Sequence, residues 1–391
     1  MAARTKLDSV ESLLSTREVI IACGPGGVGK TTTAASVAAV AAAYVGGNVL
    51  VVTVDPAKRL ADALGIKGIG NKVKKVPKSV FTDAGVEPRG TLSAAMLDTK
   101  ESWDALIDQH APDEETKAKI LANPLYQNIT GRFIQSHDYI AMERLYDLHA
   151  SGKWDLIVVD TPPTRNALDF LDAPERMADF FSSRLLRWLI TPSRSSLVGL
   201  ATRPFTQIAD KILGTQFLAD ITEFFLSLES MYGGFVERAH AVQQLLGDER
   251  TSFLIVSTSE TVPLREAEFF ADELVKRNLD IGAVVMNKVL PISLSDPSVN
   301  DVAQQFIDQR DVISERLSHL LKTDGEHLRR VLATISESFD DFAVVARREA
   351  LSRDRFERGD AALIPVPFFD HDIHDMAGLL ELGHSMMGRK N

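Results

Sequence analysis

Gly24-Pro25-Gly26-Gly27-Val28-Gly29-Lys30-Thr31-Thr32 fits the pattern G-x-x-x-x-G-K-[ST] without a mismatch. It follows a short apolar run, Glu18–Ala22 (EVIIA), and opens an alanine-rich stretch, Thr31–Tyr44. The first run reads as a buried strand and the second as a helix. Strand, glycine loop, helix is the setting in which this spacing has chemical meaning. Glycines let successive backbone N–H groups curl around phosphate oxygens without side-chain obstruction. The helix N-terminus adds its positive dipole end. Gly26, Gly27, Val28, Gly29, Lys30, Thr31 and Thr32 are therefore the expected phosphate cradle. Lys30 is expected to neutralise the β and γ phosphates, and Thr31 to place its hydroxyl on Mg²⁺.

Working outward, Gly46-Gly47 ends the helix, and Val49–Val54 (VLVVTV) reads as a second strand. Leu92–Leu97, Leu156–Val159, Phe253–Val256, Ala283–Met286 and Leu363–Val366 continue the series to seven. Continuous apolar runs, rather than alternation, suit strands covered on both faces. Their order with intervening helices predicts an α/β fold with a doubly wound, mostly parallel sheet. Two stretches break the rhythm. Residues 99–150 and 175–250 have helical character and no strand signal. Phe181, Leu185, Trp188 and Leu189 share one helical face, as do Phe217, Ile221, Phe224, Phe225 and Leu228. The expectation is one domain over 1–391, with 99–150 and 175–250 as helical insertions that pack into a subdomain. A charged helical stretch, about 299–350, precedes the last strand.

Three further positions fall at predicted strand ends. Asp55, in Thr53-Val54-Asp55-Pro56-Ala57-Lys58, sits where a carboxylate faces the ligand crevice of a parallel sheet. It could orient or deprotonate a water that attacks the γ-phosphate, or it could cap the helix that follows. Asp160, at the end of LIVVD, could hold the Mg²⁺ shell through water, with the same capping alternative. Asn287-Lys288 ends the sixth strand. No aspartate follows two residues later to accept from a guanine amino group, so Asn287 reading adenine is the better expectation.

Composition narrows the classes. A single cysteine, Cys23, among 391 residues rules out intrachain disulfides, a four-thiolate zinc site and an all-cysteine iron–sulfur cluster. The net charge of −11, with no basic block, speaks against nucleic acid as a partner. Met1–Arg17 is polar and lacks a signal-peptide pattern. The longest apolar run, Ala34–Val45, is too short and alanine-rich to span a bilayer. The expected location is the cytoplasm.

Together the motifs resemble the arsenite-pump and tail-anchored-protein-targeting ATPases, a branch of the deviant-Walker P-loop ATPases. The matching stretches are GPGGVGKTT (24–32), TVDPAKRLADALG (53–65), VVDTPPTRNALDFLDAP (158–174) and MNK (286–288). IPVPFFDHDI (364–373) is similar to the family's adenine-contacting loop and places Pro367 against the base. The resemblance implies ATP and Mg²⁺ as cofactors and a dimer that closes on ATP. It gives Asp55 the attacking water, and Lys30, Thr31 and Asp160 the nucleotide and its metal. It also implies an apolar surface on the helical subdomain for an apolar helix of a client or membrane protein. Residues 175–232 carry Phe180, Phe181, Trp188, Leu189, Phe205, Phe217, Phe224, Phe225 and Met231. These fit a client groove or plain subdomain core, and Thr191–Pro204 a mobile lid or a surface loop.

The departures matter as much. Pro25 stands where the family carries a signature lysine that reaches the partner's phosphates, and proline offers neither an ammonium nor an N–H. Either a paralogous subunit supplies the lysine, or Arg59 or Arg165 substitutes. Thr164-Arg165-Asn166-Ala167 replaces the usual switch sequence. The thiolates of a metalloid site are missing, as is the paired-cysteine zinc clamp. The expected function is a Mg²⁺-dependent ATPase whose cycle opens and closes a dimer and is coupled to a protein client. The alternatives are a weakly catalytic or regulatory subunit of a heterodimer and, further off, a partitioning-type ATPase on DNA.

Overall fold

The strand that precedes the glycine loop lies inside an eight-stranded sheet of order β3-β4-β2-β5-β1-β6-β7-β8. The strands are β1 (Val19–Cys23), β2 (Asn48–Thr53), β3 (Lys74–Lys75), β4 (Thr91–Met96), β5 (Leu156–Asp160), β6 (Thr251–Thr258), β7 (Ile281–Val289) and β8 (Ala362–Pro367). This is a computed structural model, and it describes residues 10–54, 58–66, 68, 70–97, 99–124, 126–127, 134–183, 223–355 and 361–388. All strand pairs are parallel except β3 with β4. The doubly wound α/β class is as expected.

β1, β5 and β6 are buried at every position. Their Val, Ile and Leu side chains alternate between two helical layers, which is why the sequence shows unbroken apolar runs. One layer packs the alanine-rich Lys30–Val40 helix and the Met376–Met386 helix on the sheet. The other packs the Ile134–Ala150, Thr164–Ser182, Tyr232–Gly247 and Thr261–Lys276 helices. The chain leaves β1 toward β2 on one side and leaves β5 for β6 on the other. Connections therefore diverge around β1, and at such a switch point the carboxyl ends of the strands open a crevice.

The expected strands are present, with shifted ends. The first is Val19–Cys23 rather than Glu18–Ala22, and the third is Thr91–Met96 rather than Leu92–Leu97. β3 is an addition that the sequence pattern did not reveal. It is an antiparallel edge of two exposed lysines, with no apolar signal to read. The charged stretch before β8 forms three helices, Pro297–Asp308, Arg310–Leu321 and Gly325–Arg355.

Residues of 99–150 and 223–239 meet in a cluster of their own, separate from the two sheet cores. Trp103, Ile107, Ile120, Tyr126, Tyr139 and Phe235 lie at its centre. Of the aromatic stretch 175–232, Phe224 and Met231 are buried in this cluster and Phe225 packs against it. Phe224 and Met231 belong to core, and Phe225 lies at its edge. Trp188, Leu189, Phe205, Phe217 and Thr191–Pro204 lie outside the described residues, as do the side chains of Phe180 and Phe181.

Candidate nucleotide site

The glycine loop spans from β1 to the first turn of the Lys30–Val40 helix. Gly24 lies so close to β6 that a Cβ on it would stand 2.0 Å from the Val256 carbonyl oxygen. The loop is thus pressed onto the neighbouring strand, which only glycine permits. Gly27 and Gly29 have φ of 80° and 93°, a region that side chains other than glycine rarely enter. Between them Val28 sends its side chain into the core under the loop. The result is an open concave backbone anchored from below.

Lys30 is the first residue of the helix and is almost fully buried. Its Nζ lies 3.8 Å from Asp160 Oδ1. Thr31 Oγ1 donates to Asp160 Oδ2 at 2.7 Å. Asp160 is the last residue of β5 and has no exposed surface. Its carboxylate also accepts from Thr53 Oγ1 at 3.1 Å, from the end of β2. Thr161 Oγ1 donates to the Ala22 carbonyl at 2.9 Å, tying the loop after β5 to β1. The next helix starts only at Thr164. Asp160 therefore accepts from hydroxyls of the phosphate loop and of β2. Sequence reasoning missed Thr53. Its one signal was a hydroxyl residue at the end of an otherwise apolar run, followed by Val54-Asp55.

Asn287 and Pro367 come together at the ends of adjacent strands. β7 and β8 pair through Val289 and Pro367, and Phe368 N–H donates to the Val289 carbonyl at 3.0 Å. Pro367 is exposed there. Asn287 Nδ2 donates to the Val28 carbonyl of the phosphate loop at 2.8 Å. Lys30, Thr31, Asp160, the loop glycines and Asn287 thus lie around one site at the carboxyl ends of β1, β5 and β7. Asp55 lies outside the described residues, and so do the side chains of Arg59 and Arg165. Val54 N–H donates to the Asp160 carbonyl at 3.2 Å, so β2 reaches this same edge.

The donor set suits a magnesium nucleotide. A hydroxyl and a carboxylate at one point are hard oxygen ligands of the kind Mg²⁺ takes beside phosphate. The left-handed glycines leave a space that a Cβ would fill. Cys23, just behind the loop, is sealed in. Its Sγ faces the Leu254 carbonyl at 3.6 Å, and burial pushes the thiol far above its ordinary pKa.

The sequence profile of the anion-transporting ATPase (ArsA) family matches residues 17–348. The chain belongs to that family. This ATPase is 27% identical over 341 residues to "ATPase get3" of Schizosaccharomyces pombe, covering 86% of this chain and 87% of the relative. It is 26% identical over 311 residues to "ATPase ASNA1 homolog" of Entamoeba dispar, covering 76% and 85%. With "ATPase GET3" of Malassezia globosa the identity is 28% over 297 residues, covering 74% and 80%. Among the described residues of this ATPase, no helix is long and apolar enough to cross a membrane.

A second polar group lies in the helical cluster. Glu143 is 1% exposed, and its Oε2 lies 3.1 Å from Arg238 Nε. Tyr139 donates its hydroxyl proton to Glu143 Oε1, and Arg238 donates from Nη1 to His110 Nε2. Three helices, Thr99–His110, Ile134–Ala150 and Tyr232–Gly247, are joined by these groups. Burial pushes the Glu143 carboxyl up to about 7, although the Arg238 charge opposes it. Desolvation, reinforced by Arg238, holds His110 below the ordinary histidine range.

Proposed function

We propose that this chain is a cytoplasmic, Mg²⁺-dependent ATPase whose nucleotide cycle opens and closes a dimer and is coupled, through the helical insertions 99–150 and 175–250, to a protein client or membrane partner. The observation that carries this reading is the meeting of Lys30, Thr31 and Asp160 at one edge of the sheet. In it, the amides of Gly26 to Thr32 hold the phosphates. Lys30 neutralises the charge that develops on the transferred phosphoryl group. Thr31 would hold Mg²⁺, with Asp160 reaching it through water, and the ion would supply charge stabilisation at the phosphates. Asp55 orients and deprotonates the attacking water. Asn287 and Pro367 contact adenine.

Pro25 favours a second reading. It is a buried residue of the loop itself and offers no N–H. In this reading the chain binds nucleotide but turns it over slowly until a paralogous subunit joins it. Steady-state hydrolysis by the purified chain, alone and with candidate paralogues, separates the two. Ordinary turnover alone rejects the second. The decisive variant is Asp55→Asn. Hydrolysis is expected to fall at least about a hundredfold, with calorimetric Mg-ATP binding retained. Undiminished turnover removes Asp55 from its assigned role, and a wild-type chain that gives no heat with Mg-ATP overturns the nucleotide site itself.

A further inference from the structure

Asn287 does something in this structure that does not require a base. Its Nδ2 donates to the carbonyl of Val28, and its Oδ1 accepts from the backbone N–H of Lys288 at 2.9 Å. The second bond fixes the amide plane. Lys288 itself is held at φ 57°, an uncommon conformation for a residue other than glycine. The register of β7 on β8 slips here: Met286 pairs with Pro365 and Val289 with Pro367. β7 therefore carries one extra residue at Asn287-Lys288, and a bulge of this kind re-aims a side chain. The aim is across β6, which lies between β1 and β7, onto the phosphate loop.

The peptide bond from Val28 to Gly29 is planar and trans, so its C=O and N–H point in opposite directions. Holding the Val28 oxygen toward β7 therefore turns the Gly29 N–H away from Asn287. Gly29 has no Cβ to resist this. A Cβ on it would lie 2.4 Å from Asn287 Nδ2, so this close approach of Asn287 requires glycine at 29. We propose that Asn287 is a positioning residue of the phosphate site: it sets the orientation of the Val28–Gly29 peptide, and hence of the Gly29 amide that meets a triphosphate, before any nucleotide arrives. One N–H of its amide is committed to this task. The other is left for a purine acceptor, so one side chain links the base end of the site to the phosphate end. This deepens the nucleotide-binding reading above and rests on it.

The test uses a ligand without a base. Binding of Mg-tripolyphosphate and of Mg-ATP is measured by calorimetry on the full chain, wild type and Asn287→Ala. Hydrogen–deuterium exchange over residues 24–33 is followed in the nucleotide-free protein. Loss of one neutral hydrogen bond is expected to weaken tripolyphosphate binding roughly three- to tenfold, ATP binding by at least that much, and to speed exchange in the loop. If tripolyphosphate binding and loop exchange are unchanged while ATP binding falls, Asn287 acts on the base alone and the proposal is overturned. Should Asn287→Ala not fold, Asn287→Asp keeps the acceptor for the Lys288 N–H but offers no donor to Val28, and the same exchange measurement decides. A wild-type chain that binds neither ligand rejects the nucleotide reading instead, and does so before any variant is made.

Discussion

Asp160 and Glu143 are both carboxylates with almost no exposed surface, 0% and 1%, but they are kept in different ways. Asp160 ends a central strand, and its partners come from the ends of elements that the sheet itself aligns: Thr31 beside β1, Thr53 on β2, and Lys30 one residue before Thr31. Glu143 sits in the middle of a helix, and its charged partner comes from another helix, Tyr232–Gly247. One is surrounded by hydroxyls at the mouth of a crevice. The other is bonded to Tyr139, whose ring packs near Trp103 and Phe235, and there desolvation outweighs the neighbouring cation. A buried charge can thus be a consequence of sheet topology or of side-chain pairing alone. The first arrangement stands at the edge of a crevice, and the second ties three helices together.

Each side of this contrast can be broken separately. Lys30→Ala removes the cation at the sheet edge and is expected to lower kcat for ATP about a thousandfold, roughly 4 kcal/mol of barrier. The melting temperature should fall as well, because buried Asp160 loses its neighbouring cation, so kcat is compared at a temperature where both proteins are folded. Arg238→Met acts in the other region. It leaves Glu143 without its counter-charge and is expected to cost about 2 kcal/mol in urea unfolding at pH 9, where Glu143 is ionised, and little at pH 5, where it is protonated, with most of the cost at pH 9 recovered when Glu143→Leu is added.

The acidity of Glu143 sharpens the contrast further. Its folded pKa is raised from 4.5 to about 7. Protonation therefore favours the folded state, and this contribution is complete below about pH 4.5 and lost as pH rises through 7. Glu143→Gln cannot titrate. Relative to wild type it should gain stability between pH 5 and pH 8, by up to roughly 3 kcal/mol, read from unfolding curves at the two pH values. A gap that stays constant with pH would show that Glu143 is ionised throughout. The smallest effect is expected from Thr53→Val, which removes one hydroxyl from Asp160. About 1 kcal/mol of transition-state stabilisation should be lost, seen as a fall in kcat/KM of about fivefold.

The same contrast explains what could be read from the residues alone. The strands were legible because each is a run of Val, Ile, Leu or Ala buried on both faces. Lys30, Thr31 and Asp160 were legible because strand ends in a parallel sheet converge on one edge. β3 was not, since two exposed lysines carry no burial pattern. Thr53 was passed over because a threonine in a strand reads as an ordinary β-former. The sequence pattern at Asn287 points to a base contact, and its bond to Val28 depends on a one-residue bulge that spacing does not reveal. The pairing of Glu143, Arg238 and His110 is set by how three helices pack, with His110 and Arg238 128 positions apart in the chain. Amphipathic spacing in 175–232 fitted core and client groove alike, and where Phe224 and Met231 are described the answer is core.

Cys23 has a practical consequence. It is the sole thiol of the sequence, is 1% exposed, and burial keeps it in the unreactive protonated form. A cysteine introduced anywhere on the surface would be the one accessible to maleimide or spin-label reagents, with no native sulfur to remove beforehand. Fluorophore pairs or paramagnetic tags could then report whether two copies of the chain approach one another as ATP is added and consumed, in a background otherwise identical to the natural protein.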